Sequence, residues 1–83
     1  MNTTLCLDQL PLQEVGRVRC VRNSLNNDLM PRQLEDIGFV QGEHVQVLKR
    51  AWIGGDPMVV RVGLSTFALR KSEAQLIELE PHS

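Results

Sequence analysis

The stretch from Gln33 to Leu48 constrains the fold more than any other part of the chain, because a helix must end and a strand begin within a few residues. Met30, Leu34 and Ile37 recur at the i, i+4, i+7 spacing that lines one helical face. Gly38 then stands where a residue without a Cβ closes a helix at low cost, and Gly42 offers a second turn position. Beyond it the period changes from helical to alternating. Val45, Val47 and Lys49 are set on one face of a strand, with Gln46, Leu48 and Arg50 on the other. A short helix that hands its apolar face to a strand this quickly belongs to a very compact domain.

The helix is expected to start near Pro31, whose fixed φ suits a first turn. At about two turns it cannot hold itself together, so packing has to. Its charges oppose its dipole, with Arg32 near the start and Glu35 and Asp36 near the end. An Arg32–Asp36 pair at i, i+4 would offset a few tenths of a kcal/mol. Such a charge order reads either as a surface shaped for a partner or as neutral drift.

Strands are expected at Gly16–Arg22, about Glu43–Arg50, Met58–Val62, Thr66–Arg70 and Leu76–Glu80, each bounded by turn formers. In the first, Val18 and Cys20 are placed on one face and Arg17 and Arg19 on the other, which makes Cys20 a small buried thiol and the arginines solvated. Ser72 with Gln75 fits a capping box, giving one helical turn before the last strand. Leu5, Leu7, Leu10 and Leu12 offer apolar anchors ahead of the first strand, after a polar lead-in from Met1 to Thr4 of the kind that is commonly mobile. Cys6 falls in that mobile N-terminal segment. The predicted core is Val18, Leu34, Ile37, Val45, Val47, Val60, Leu69 and Ile77. About five short strands, with one helix between the first two and a helical turn before the last, imply a mainly β single domain, residues 1–83 with a core over about 10–80. Closing the sheet into a small barrel would remove its open edges.

The run from Arg32 to Val47 resembles the R-L-x-x-[LM]-G-[LF]-x-x-G-x-x-[VI]-x-[VI] core of the FeoA family, with Gln33 inserted between Arg32 and Leu34. Gly54, Asp56 and Pro57 are similar to that family's G-D-P loop, and Ala68-Leu69-Arg70 with Glu73-Ala74 to its A-L-R-x-x-E-A segment. Leu10, Pro11, Leu12 and Gly16 resemble its L-x-x-L-x-x-G segment, which lays a short cover over the barrel. The resemblance implies an SH3-like barrel. It also implies a small cytosolic accessory protein of bacterial ferrous iron uptake, docking on the cytosolic GTPase region of a FeoB-type membrane transporter. The same module occurs at the C-terminus of iron-dependent repressors.

Composition narrows the alternatives. Ten acidic and nine basic side chains leave a net charge of −1, which gives no electrostatic reason to expect a nucleic-acid or anionic-membrane partner. Small barrels do bind nucleic acid or act as transcription and translation adaptors, but those usually carry a basic face and stacking aromatics; this chain has one Trp, two Phe and no Tyr. No apolar run nears the roughly 20 residues that span a bilayer, and no export signal opens the chain, so direct membrane insertion is not expected and the cytoplasm is the expected compartment. Cys6 and Cys20 are too few and too far apart for a disulfide framework or a C-x-x-C site, and His44 and His82 lie near neither. No phosphate loop and no nucleophile–base arrangement is encoded. A non-catalytic binding module without metal or cofactor is expected, with weak self-association left open.

Partner-binding residues are expected at Trp52, Ile53, Arg32 and Asp36. Trp52 and Ile53 stand in a loop marked by Gly54, Gly55 and Pro57, where the tryptophan either folds back as a lid over the barrel's end or stands exposed as an interface anchor. Arg32 and Asp36 would supply a polar rim.

Overall fold

The computed structural model describes residues 5–23, 29–51, 54 and 56–81. Five strands, β1 (Val15–Val21), β2 (His44–Arg50), β3 (Met58–Val62), β4 (Ser65–Leu69) and β5 (Ile77–Leu79), form one antiparallel sheet in the order β4-β3-β2-β1-β5. The helix α1 (Leu29–Asp36) lies between β1 and β2, and a short helix α2 (Lys71–Ala74) between β4 and β5. β3 has the bounds expected from the sequence, and the other strands differ from expectation by about a residue at their ends, where pairing rather than composition decides. The helix begins at Leu29, two residues before Pro31, which occupies its first turn and is buried.

The sheet curls into a barrel-like shape but does not close as expected: among the described residues β4 and β5 are its two edges and do not pair. The α2 turn bridges them in the chain and sets Ala74 fully into the core. Its N-terminus is capped differently from the expected Ser72 box. Glu73 Oε1 reaches back to the Arg70 N–H at 2.7 Å, and Asp56 Oδ1 accepts the Lys71 N–H at 2.8 Å. Asp56 can reach because Met58 and Leu69 are register partners, which brings the entry to β3 beside the exit from β4.

Seven of the eight predicted core residues are buried; Ile37 is not, at 39% exposed. The reason is the way α1 stops. The Phe39 N–H bonds to the Leu34 carbonyl and the Gly38 N–H to the Glu35 carbonyl, each at 3.1 Å, with Gly38 at a φ of +126°. This six-to-one and five-to-two pattern is the Schellman stop, in which the residue after the glycine packs back onto the helix's last apolar residue. Phe39 therefore enters the core beside Leu34, fully buried, and Ile37 turns outward. The expected Arg32–Asp36 pair does not form, whereas Arg19 and Glu78 do pair, at 3.6 Å.

Two irregularities break the alternation read from sequence. The β1–β5 register shifts between Val18 and Cys20, so Val18 is buried whereas Cys20 is exposed, against expectation. The β2–β3 register shifts between Val47 and Lys49, so Lys49 is exposed rather than continuing the face of Val47. A bulge inserts one residue and flips every later side chain relative to a strict period of two.

The segment before β1 is tied down. Cys6 bridges to Glu78 of β5, the Leu79 N–H bonds the Leu5 carbonyl, and Leu7–Gln9 form a 3-10 turn. Arg50 donates to the carbonyls of Asp8 (3.0 Å) and Leu10 (2.7 Å), while the Gln13 N–H bonds the Val47 carbonyl at 2.7 Å. Leu7 and Leu10 are thereby fully buried as the cover over one side of the sheet, and a Cβ on Gly16 would come within 3.2 Å of Leu79. Leu12, expected as an anchor, is 52% exposed.

Candidate interaction surfaces

Among the described residues no three His, Cys, Asp or Glu side chains are placed to hold a metal ion. The chemistry that does converge lies around β5. Glu78 is register-paired with both Cys20 and Cys6, and its carboxylate accepts from the Cys20 thiol at 3.7 Å. The Arg22 guanidinium donates to the Cys6 sulfur at 3.0 Å and to the Gln75 carbonyl. Burial pushes the Cys6 thiol above its ordinary value, against the opposing pull of Arg22. Cys20 is pushed up by partial desolvation and then by the Glu78 carboxylate. Raised thiols are poor nucleophiles at neutral pH, so this cluster is structural glue between the N-terminal segment, β1 and β5.

Two surfaces carry exposed apolar side chains beside charged ones. The first surrounds the end of α1. Arg32 and Asp36 are both exposed there, followed by the outward-turned Ile37 and by Val40, 47% exposed. This end of the helix sits against the end of β3, since a Cβ on Gly38 would meet Val62 at 3.6 Å. The 51–57 loop leaves β2 and enters β3 at the opposite ends of these strands, where Arg50 pairs with Met58 and the Ala51 N–H bonds the Pro57 carbonyl. Trp52 and Ile53 themselves lie outside the described residues.

The second surface is the outer face of the sheet. The registers align Val15, Gln46, Arg61 and Thr66 in one row across four strands, with Arg17 and His44 paired in the next. Val15, His44, Val45, Gln46, Arg61 and Gly63 line a shallow pocket of about 170 Å³. Val15 is 50% exposed, and Leu64 at the tip of the β3–β4 turn is completely exposed. Sequence reading passed over Val15, Val40, Leu64 and Arg61; for Val40 and Leu64 the available signal was an apolar residue in or beside a glycine turn, where polar ones are usual, while Val15 and Arg61 lie within strands and carry no such mark.

A one-sheet antiparallel fold of this strand order, offering exposed apolar side chains beside charged ones, defines a small SH3-like β domain. A family model for the FeoA domain matches residues 5–81, and the chain belongs to that family. It is similar to zinc-complexed FeoA of Stenotrophomonas maltophilia, a procaryotic SH3 domain protein, with 38% identity and a TM-score of 0.83 over 92% of this chain and 89% of that one. The solution structure of iron(II) transport protein A from Clostridium thermocellum matches with 34% identity and a TM-score of 0.78; the match covers 93% of this chain and 45% of that one. A manganese-dependent transcriptional repressor in complex with manganese shares the fold, with 20% identity and a TM-score of 0.79 over 99% of this chain and 38% of the repressor. No curated protein gave a match. None of the described helices is long and apolar enough to cross a membrane.

Proposed function

We propose that this protein is a cytoplasmic accessory component of ferrous iron uptake, a non-catalytic module that docks on the cytosolic GTPase region of a FeoB-type transporter. The observation that carries this reading is the FeoA-domain match across residues 5–81. The exposed apolar residues Ile37 and Val40 beside Arg32 and Asp36 support a docking role for the end of α1. Trp52 and Ile53, in the loop at the opposite ends of β2 and β3, are proposed on sequence grounds as a separate contact, for which Arg32 and Asp36 are not the rim. The likeness to a manganese-dependent repressor is one of fold alone, and the near-neutral charge gives no support to nucleic-acid binding.

The experiment is recovery of the transporter from membranes by tagged protein at low and high salt. Retention of the transporter at both salts, weakened by Ile37→Ser with Val40→Ser, is the expected result. A tagged protein that retains no transporter at either salt refutes the docking. A strongly salt-dependent retention of nucleic acid instead would move the protein to the adaptor class.

A further inference from the structure

Among the described residues β4 is an edge strand with no neighbour on its outer side, whereas β5, the other edge, takes the Leu79–Leu5 bond and the Cys6 bridge. The β3–β4 connection decides which groups of β4 face out. Val62 pairs with Ser65 across a two-residue turn led by Gly63 at a φ of +58°, the geometry in which the closing pair is hydrogen-bonded. Antiparallel bonding alternates from there, so Ser65, Phe67 and Leu69 bond to β3 while Thr66 and Ala68 turn their N–H and C=O groups outward. Both residues are exposed, and their backbone groups make no further hydrogen bond among the described residues.

Edges of this kind are ordinarily blunted by a lysine, a proline or a bulge. The run Ser65-Thr66-Phe67-Ala68-Leu69 has no charge and no proline, and its register with β3 is unbroken. Phe67 lies on the core side of the strand yet is only partly buried, because no strand flanks it outside. Two outward N–H and C=O pairs, two residues and so about 7 Å apart, match the ladder of an added extended strand. The edge also continues the proposed docking surface. Gly38 at the stop of α1 lies against Val62, the partner of Ser65, so β4 starts at the end of the sheet where Ile37 and Val40 are exposed.

We infer that an extended segment of the transporter's cytosolic region adds to this edge as a further strand, its main chain bonding Thr66 and Ala68 and an apolar side chain covering Phe67. The inference rests on the docking proposed above and names the mode of that contact: the end of α1 supplies an apolar seat and β4 the ladder.

Ala68→Pro tests it. The substitution deletes an outward N–H but no bond to β3, and an edge strand tolerates proline at such a position. Recovery of detergent-solubilised transporter by the tagged full chain should fall at least about tenfold, while Ala68→Val, which keeps the N–H, should bind as the parent does. Melting of both variants should stay close to that of the parent. Amide hydrogen exchange reads the same contact in the unsubstituted protein, where added transporter should slow exchange at Thr66 and Ala68. Exchange there that the transporter leaves unchanged, or recovery undiminished by a folded Ala68→Pro, overturns the inference and leaves the docking itself standing. A parent that retains no transporter overturns both. An Ala68→Pro effect confined to the mass of the free protein in solution would assign the edge to a second copy, and the inference would fall.

Discussion

Phe39→Ala is the substitution from which the structure predicts most. Phe39 is the largest fully buried side chain and is held in place by the Schellman stop of α1, whose Phe39 N–H to Leu34 carbonyl bond is 3.1 Å long. Truncating a buried phenylalanine costs about 3–5 kcal/mol, the transfer loss plus the cavity left behind. At roughly 0.05–0.15 kcal/mol per residue the whole domain has about 4–12 kcal/mol to lose. With a urea slope near 1 kcal/mol/M for a chain this small, the midpoint should fall by about 3 M or more, and a less stable domain would already be unfolded in buffer. Ile37→Ala is the internal control. It lies two residues away on what a helical wheel calls the buried face, yet it is 39% exposed, and its loss should cost no more than about 1 kcal/mol. The assay is urea denaturation followed by far-UV circular dichroism, both variants beside the parent with a common slope. A Phe39→Ala midpoint within about 0.5 M of the parent, or an Ile37→Ala cost equal to that of Phe39→Ala, refutes this account of the helix stop.

Two further outcomes are expected. Burial raises the Cys6 thiol in the folded state above its unfolded value of 9.0, so its contribution to stability is complete below pH 9 and is lost as the pH rises through the folded value; melting temperature should decline on alkalinisation above about pH 9, and Cys6→Ala should flatten that decline, whereas an identical slope in the variant contradicts the assignment. Asp56→Ala removes the carboxylate that accepts the Lys71 N–H at 2.8 Å and should cost about 0.5–2 kcal/mol in a urea titration, with Asp56→Asn recovering most of it; equal losses in both variants would mean that the cap is not what Asp56 supplies.

How much was legible in the sequence follows from which interactions are local. Apolar periodicity placed five strands and the helix, because each needs only its own residues to declare a wet and a dry side. It misplaced residues wherever a contact distant in sequence sets the geometry. Cys20 reads as buried by alternation and is exposed because β1 pairs with β5 through a bulge, 58 residues away at Glu78. Cys6 reads as part of a mobile lead-in and is pinned by that same glutamate and by Arg22. The barrel reads as closed because open edges are a liability, and the cost is met otherwise: β5 takes the Cys6 bridge on its free side, and α2 joins it to β4. Asp56 was legible as one letter of a loop motif, yet its role as the cap of α2 exists only once β3 and β4 are paired.

The interaction surfaces show the same division from the other side. Arg32 and Asp36 were chosen for a charge order that is visible locally, and both are exposed beside Ile37, whose outward turn depends on the glycine stop next to it. Val15, Arg61 and Leu64 carry no local mark of belonging together; the β1–β2–β3 registers bring the first two into one row, and the turn that ends β3 sets the third beside them. An exposed leucine in a tight turn contributes nothing to the folded monomer, since it is as wet there as in the unfolded chain. Any stabilisation it provides must come from burial against something else.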